Sequence, residues 1–291
     1  MIRQDSHSID LGFTESFSEL RVHYDEDLQA IWAYMQGTPR PCFTPTLLKE
    51  VITLNARIPE LDGVQYVIGA SDVPQVYNLG GDLNLFLQYI EQGEREQLRQ
   101  YGYDCVECGY GNATQIKHGI TTIALVQGSA LGGGFEGALS SNVVVAEENA
   151  KLGFPEILFN LFPGMGAYTF LSRKIPVNQV EKMVLSGEQY TGADLYDMGV
   201  VDVLAKDGEG EQAVTEYIDG HRSQQRARVA IHQARSRLNP VTIEELRDIV
   251  DIWVEAAMDT DEESLRVMHR LVRAQDRKLS TEKLLAKVAN A

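Results

Sequence analysis

Cysteine is scarce in this chain: Cys42, Cys105 and Cys108 are the only three in 291 residues. That is too few for a disulfide framework. Cys105-Val106-Glu107-Cys108 has the spacing of a redox pair or half a zinc site. No second pair or nearby paired histidine accompanies it, so it reads as two small residues one turn apart on a helix. The six histidines are scattered and make no H-x-x-x-H or similar pattern, which removes the usual zinc signatures. Neither a metal nor a cofactor is expected. No apolar run approaches the roughly 20 residues that span a bilayer. Met1 to Glu19 is polar and acidic, without the basic start and apolar stretch of a secretory signal. A cytoplasmic protein without membrane insertion is the expectation.

Positive charge is also short. The net charge is −16, which argues against nucleic acid and anionic membranes as partners of the whole surface. The deficit is uneven. Residues 1–220 hold 13 Lys and Arg against 31 Asp and Glu, whereas residues 221–291 hold 13 against 11. The tail arginines (Arg222, Arg226, Arg228, Arg235, Arg237, Arg270, Arg273, Arg277) fall on predicted helices. They read either as solvated faces laced with i,i+4 pairs or as a local patch for a phosphorylated or acidic partner, with Arg222 and Arg226 as candidates.

What remains is an ordinary globular composition, 44% apolar and 23% charged, with a length that supports a sizeable core. Leu28 to Met35, Val64 to Ala70, Ile120 to Gln127 and Asn142 to Ala146 read as strands. Thr44-Pro45 is an N-cap and first-turn pair opening a helix through Ile58. Leu83, Phe86, Leu87 and Ile90 recur at helical spacing after Asp82, and that pattern predicts helix to about Gly109. Gly128 to Gly134 must turn, and Phe135 to Leu139 restarts as helix. Helical patterns dominate from Tyr168, with a glycine-punctuated stretch at Gly187 to Val203 and long helices from about Asp219. Strands alternating with helices predict an α/β fold with parallel pairing. The division expected is a catalytic core over residues 1–206 and a helical region over 207–291.

Three segments carry chemistry. Asn78-Leu79-Gly80-Gly81-Asp82-Leu83 places a glycine pair before a helix. Gly128-Ser129-Ala130-Leu131-Gly132-Gly133-Gly134-Phe135-Glu136 places a glycine run between a strand and another helix. Backbone N–H groups at a helix start have no intrahelical partner and face outward. Two such turns facing each other can hold one developing oxyanion, and glycine lets the ligand approach. Each turn alone is a weak signal. In the third segment, Gly153 to Gly164, a single Glu156 sits among apolar residues between Pro155 and Pro163. Desolvation raises a carboxyl pKa toward the range useful for proton transfer. Glu136 and Glu156 are 20 residues apart, so they meet only if the strand between them returns the chain to the glycine turn.

In this order the segments resemble the crotonase (enoyl-CoA hydratase/isomerase) superfamily. The match runs over GGDL, ALGGGFE, the G-x-P-E…P-G stretch and a later SG…A…GVVD stretch (Ser186 to Asp202). The resemblance implies a spiral of ββα units with a C-terminal helical region used in trimerisation. It makes the N–H groups of Gly81 and Gly133 the oxyanion hole, Glu136 and Glu156 the acid–base pair, and Gly80, Leu131 and Gly132 substrate-binding. NLGGDL, LGFPEILFNLFPGMGAY and IWVEAAM…RLVRAQ are most similar to the diffusible signal factor synthases of bacterial cell–cell communication. That likeness implies dehydration of a 3-hydroxyacyl chain on acyl carrier protein or CoA to a cis-2-enoyl thioester, then its hydrolysis. It adds Trp253, Leu271 and Met165 as pocket walls, and a sensor kinase, a homotrimer or a dimer of trimers as assemblies. Asn160, where hydratases often carry Gly, and Ser141-Asn142, where they carry Cys-Asp, depart from the metabolic pattern. The alternatives are a metabolic enoyl-CoA hydratase or isomerase, and a regulatory protein that binds acyl ligands or docks on a sensor.

Overall fold

A computed structural model describes residues 17–273; Arg277 and the chain's two ends lie outside that range. Ten strands form two sheets. The larger runs in the order β1 (Leu20–Asp25), β2 (Ala30–Met35), β3 (Tyr66–Ser71), β5 (Thr121–Val126), β7 (Val143–Glu147), β10 (Val203–Ala205). β1 and β2 pair antiparallel, and every other pairing in this sheet is parallel. The smaller sheet runs β4 (Val76–Asn78), β6 (Ser129–Leu131), β8 (Lys151–Gly153), β9 (Gln189–Thr191). β3, β5 and β7 are each followed by a short strand of the second sheet (β4, β6 and β8) and then by helix. This is the ββα spiral that the sequence resemblance implies.

Helices close each turn of the spiral. α1 (Pro45–Arg57) starts where the Thr44 side chain accepts the Leu47 N–H. α2 (Leu83–Gln92) is capped by Asp82, whose carboxylate accepts the Asn84 and Leu85 N–H groups. The single helix predicted from Asp82 to Gly109 is in fact two. Gly93 adopts φ +70° and ends α2, and α3 (Arg95–Thr114) starts two residues further on. A left-handed residue cannot continue an α-helix, and glycine takes that conformation without strain. α4 (Gly133–Leu139), α5 (Ala167–Leu171), α6 (Val177–Ser186) and α7 (Gly192–Asp197) are shorter. α8 (Gly210–His221), α9 (Gln225–Leu238), α10 (Ile243–Met258) and a helix over 262–273 complete the described chain.

β1 was not among the expected strands, and only Leu20 of its six residues is buried. It covers the edge of β2, which is buried along its whole length. The inner face of the large sheet shares one extended apolar core with α1 and α3, and α10 joins that core by packing on α3. Its outer face, including Trp32, Ile68 and Val145, is covered by Val214 and Ile218 of α8.

Candidate active site

The small sheet builds the site. β4, β6 and β8 lie side by side and parallel, with Asn78 opposite Ala130 and Leu131 opposite Gly153. Their C-terminal ends therefore deliver three successive loops to one place: Gly80–Gly81, Gly132–Gly134, and the 3-10 helix Pro155–Phe159 that carries Glu156. The Gly132 N–H donates to Gly153 O at 2.9 Å and locks the last two together. The return of Glu156 to the glycine turn is thus a matter of strand pairing.

Glycine is required where the turns touch. A Cβ on Gly134 would lie 2.0 Å from Asn78 O, and one on Gly80 would lie 2.8 Å from Leu131 O. Gly80 has φ +96°, and its N–H donates to Asn78 Oδ1 at 2.8 Å. Gly80 O, not Gly81, accepts the Phe43 N–H at 2.8 Å. The Gly81 N–H has no acceptor among the described residues, and Gly133 opens α4, where the first N–H has none in the helix. A Cβ placed on Gly133 would lie 3.4 Å from Gly81 N. The two donors are therefore adjacent.

Glu136 sits in the first turn of α4 and is 2% exposed. Its Oε1 accepts the Met165 N–H at 2.8 Å and the Ala167 N–H at 2.9 Å, pinning the Phe162–Ala167 turn over the site. Burial pushes its pKa up to about 7, and the two backbone donors oppose that rise without cancelling it. Glu156 is half-buried as a residue, yet its Oε2 is closed off from solvent and has no partner. Its Oε1 lies 2.3 Å from where a Gly132 Cβ would stand. Burial, then the charge of Glu136, push its pKa up to about 8. Two neighbouring carboxyls that disfavour ionisation share protons near neutrality, so one donor and one acceptor coexist.

Gly80, Gly81, Leu131, Gly132, Gly133, Glu136, Glu156, Met165, Trp253 and Leu271 all line one cavity of about 270 Å³. All ten residues expected at the site are thereby brought together. Trp253 of α10 is buried edge-on to Phe86, with ring centres 5.1 Å apart. It also fills the space beside Gly164, where a Cβ would meet its ring at 2.4 Å. Phe86, Phe159 and Gln189 complete the wall and were not anticipated at the site. Phe86 was visible only as part of a helical apolar stripe, and nothing in that stripe says which ring turns toward a ligand.

Two further expectations concern residues outside this cavity. Arg222 and Arg226 lie in a separate groove with Gln29 and Gln65, and Arg222 is held by Asp219 and the Asp27 carbonyl. They do not border the catalytic cavity. Asn160 and Ser141-Asn142, read as marks against a metabolic enzyme, have plain structural roles. Asn160 takes φ +57°, a conformation that asparagine tolerates in place of glycine. Asn142 bonds reciprocally with Thr122 to seat β7 against β5, and Ser141 accepts a bond from Asn112.

Two adjacent backbone N–H donors and two carboxyls with raised pKa values thus face one apolar cavity on a ββα spiral. The chain belongs to the enoyl-CoA hydratase/isomerase family, whose model matches residues 38–252. It is 46% identical over 86 residues to a 2,3-dehydroadipyl-CoA hydratase of Escherichia coli, covering 29% of this chain and 34% of the other. It is 38% identical over 85 residues to a probable enoyl-CoA hydratase of Bacillus subtilis, covering 29% and 33%. The matched stretch thus spans about a third of the length of these curated relatives. Among solved structures, an enoyl-CoA hydratase of Bacillus halodurans superposes with TM-score 0.75 at 19% identity, over 87% of this chain and 100% of that one. Pseudomonas aeruginosa DspI superposes with TM-score 0.63 at 20% identity, over 92% and 97%. At such identities these structures establish the fold.

Proposed function

We propose that the protein interconverts 2-enoyl and 3-hydroxyacyl thioesters by adding or removing water across C2–C3. One observation carries this reading: two desolvated glutamates and two adjacent backbone donors share one apolar cavity. In the hydration direction, the basic carboxyl takes a proton from water as the water oxygen bonds to C3. The C2–C3 π electrons move toward the thioester, and the charge on its oxygen is held by the Gly81 and Gly133 N–H groups. The other carboxyl delivers a proton to C2. Dehydration reverses each transfer, so water is the only species gained or lost. The hydratase names of the relatives favour a CoA thioester in general metabolism, and that reading leads here.

The second reading is release of a cis-2-unsaturated fatty-acid signal by dehydration and then thioester hydrolysis. The resemblance of the NLGGDL and FPEILFNLFPGMG segments supports it. Carrier protein as substrate donor, a sensor-kinase partner and a trimeric assembly belong with that resemblance. One experiment separates the readings: purified protein with 3-hydroxyacyl-CoA and with 3-hydroxyacyl carrier protein, followed by product mass spectrometry and a free-thiol assay. A trans-2-enoyl thioester in equilibrium with substrate, without thiol release, is the expected result. Free cis-2-enoic acid would establish the second reading instead. Absence of any C2–C3 chemistry would sink both.

A further inference from the structure

The Gly81 N–H belongs to the Gly80–Gly81 peptide, and two glycines in succession leave that peptide little intrinsic resistance to turning. Its aim is therefore set from outside. The Gly80 carbonyl accepts the Phe43 N–H at 2.8 Å. A trans peptide is planar, with its N–H and C=O on opposite edges. Holding the carbonyl on Phe43 thus turns the Gly81 N–H the other way, to the side where Gly133 lies. The segment before α1 runs alongside this turn as a strap. Leu79 N–H donates to Pro41 O at 2.7 Å, and Phe43 and Gly81 form a parallel bridge.

Tyr101 of α3 fixes the strap to the turn. It is buried, and its hydroxyl donates to Phe43 O and accepts the Asp82 N–H at 3.1 Å. Those two groups flank the Gly80–Gly81 peptide: one on the residue that holds its carbonyl, the other on the residue that follows it. A hydroxyl donates and accepts at a single atom, and burial pushes this one's pKa well up, so its proton stays. The Tyr101 ring packs edge-on to Phe86 with centres 5.1 Å apart. Phe86 in turn covers Gly81, where a Cβ would lie 2.5 Å from its ring. Tyr101 is not in the wall of the catalytic cavity and does not touch the reacting atoms. Resting on the thioester reading above, we infer that Tyr101 is a positioning residue: its hydroxyl ties Phe43 to Asp82 and keeps the Gly81 N–H aimed at the developing oxyanion. Charge on that oxygen grows toward the transition state, so a misaimed donor is felt there and scarcely in the bound ground state.

The test is Tyr101→Phe, which removes one oxygen and keeps the ring against Phe86. Kinetics are measured on the faster of trans-2-butenoyl-CoA and trans-2-decenoyl-CoA. Losing an oxyanion donor outright costs about 10²–10³-fold in kcat, so a misaimed one should cost about 10–10²-fold, with KM within about twofold. Arg40→Gln is the comparison, because Arg40 also grips the turn, through Asp82 Oδ1 at 3.2 Å. It acts on the cap side chain rather than on the peptide, and its loss should leave kcat within about twofold of wild type. Infrared difference spectra of the saturated acyl-CoA of the same length, labelled with carbon-13 at the carbonyl, read the donor without turnover. Wild type and Arg40→Gln should lower the carbonyl stretch equally, and Tyr101→Phe should cut that shift by about half or more. An unchanged kcat and carbonyl shift in Tyr101→Phe would overturn the assignment. So would equal losses in the two variants, or a Tyr101→Phe protein that does not fold, since the hydroxyl would then be a general structural support. Wild type with neither turnover nor a carbonyl shift would instead reject the thioester reading, and the role of Tyr101 with it.

Discussion

Glu136 and Glu156 are each buried where an ionised carboxylate is poorly solvated, and this has separate consequences for rate and stability. General acid–base catalysis contributes typically about 10²–10⁴-fold, so Glu136→Gln and Glu156→Gln should each lower kcat by that order, measured on 2-enoyl-CoA hydration. Glutamine at 136 keeps an oxygen for the Met165 and Ala167 N–H groups, so the turn should survive. The stability effect has the opposite sign. Both folded-state pKa values, about 7 and about 8, lie above the ordinary 4.5. Between pH 4.5 and these values the native state binds more protons than the unfolded chain, and stability falls as pH rises. Glu136→Gln removes one such group. Its Tm relative to wild type should therefore climb as pH goes from 5 to 9. Melts at several pH values check this; parallel curves would mean that Glu136 is not held protonated. With two coupled carboxyls, the wild-type rate should depend on pH through apparent values belonging to the pair.

The elements that position these acids are short, and this governs what could be read in advance. The glycine turns and both glutamates were legible, because glycine before a helix and a lone Glu among apolar residues are local signals. The long buried strands and the Thr44 cap were legible for the same reason. β4, β6, β8 and β9 were not, since three residues carry no periodicity, yet their pairing is what brings the acids together. The alignment of Ala33, Gly69 and Ala124 across β2, β3 and β5 was also hidden, because register across three strands is a non-local fact. At this scale Gly132 is the sharpest test. It has φ +52°, and a Cβ would lie 2.3 Å from Glu156 Oε1. Gly132→Ala should displace the carboxyl by about an ångström and reduce kcat/KM by roughly 10²-fold. Gly93→Ala is the control. Its φ is +70° but nothing lies within 4 Å of the added methyl, so it should cost about 1–2 kcal/mol of stability and leave kcat/KM unchanged. Equal kinetic damage from both would show that backbone strain, not the Glu156 contact, is what matters.

On the scale of the molecule, the helical third is bound into the same core as the site. Leu246, Val250, Trp253, Val254 and Ala257 of α10 are buried. Val250 packs so closely on α3 that a Cβ on Gly102 would lie 2.6 Å from its Cγ1. Arg99 of α3 adds an ion pair to Asp251 at 2.8 Å, a surface contact worth little by comparison. On the opposite face of the sheet, Val214 and Ile218 of α8 complete the outer core. Full burial of one such aliphatic or aromatic side chain contributes about 1.5–3 kcal/mol. The six larger ones, leaving out Ala257, give about 9–18 kcal/mol, as much as the roughly 5–15 kcal/mol by which whole domains are stable. We therefore predict that a chain ending at residue 206 does not fold as a catalytic core with an appendage removed. It should lack a cooperative thermal transition and bind a hydrophobic dye such as ANS, because the outer sheet face loses α8 and α3 loses α10 at once. A cooperative melt from that fragment would instead make 207–291 a separable module. In that case Trp253 would be an added wall of a site already complete, and the fragment should hydrate 2-enoyl-CoA at the rate of the full chain.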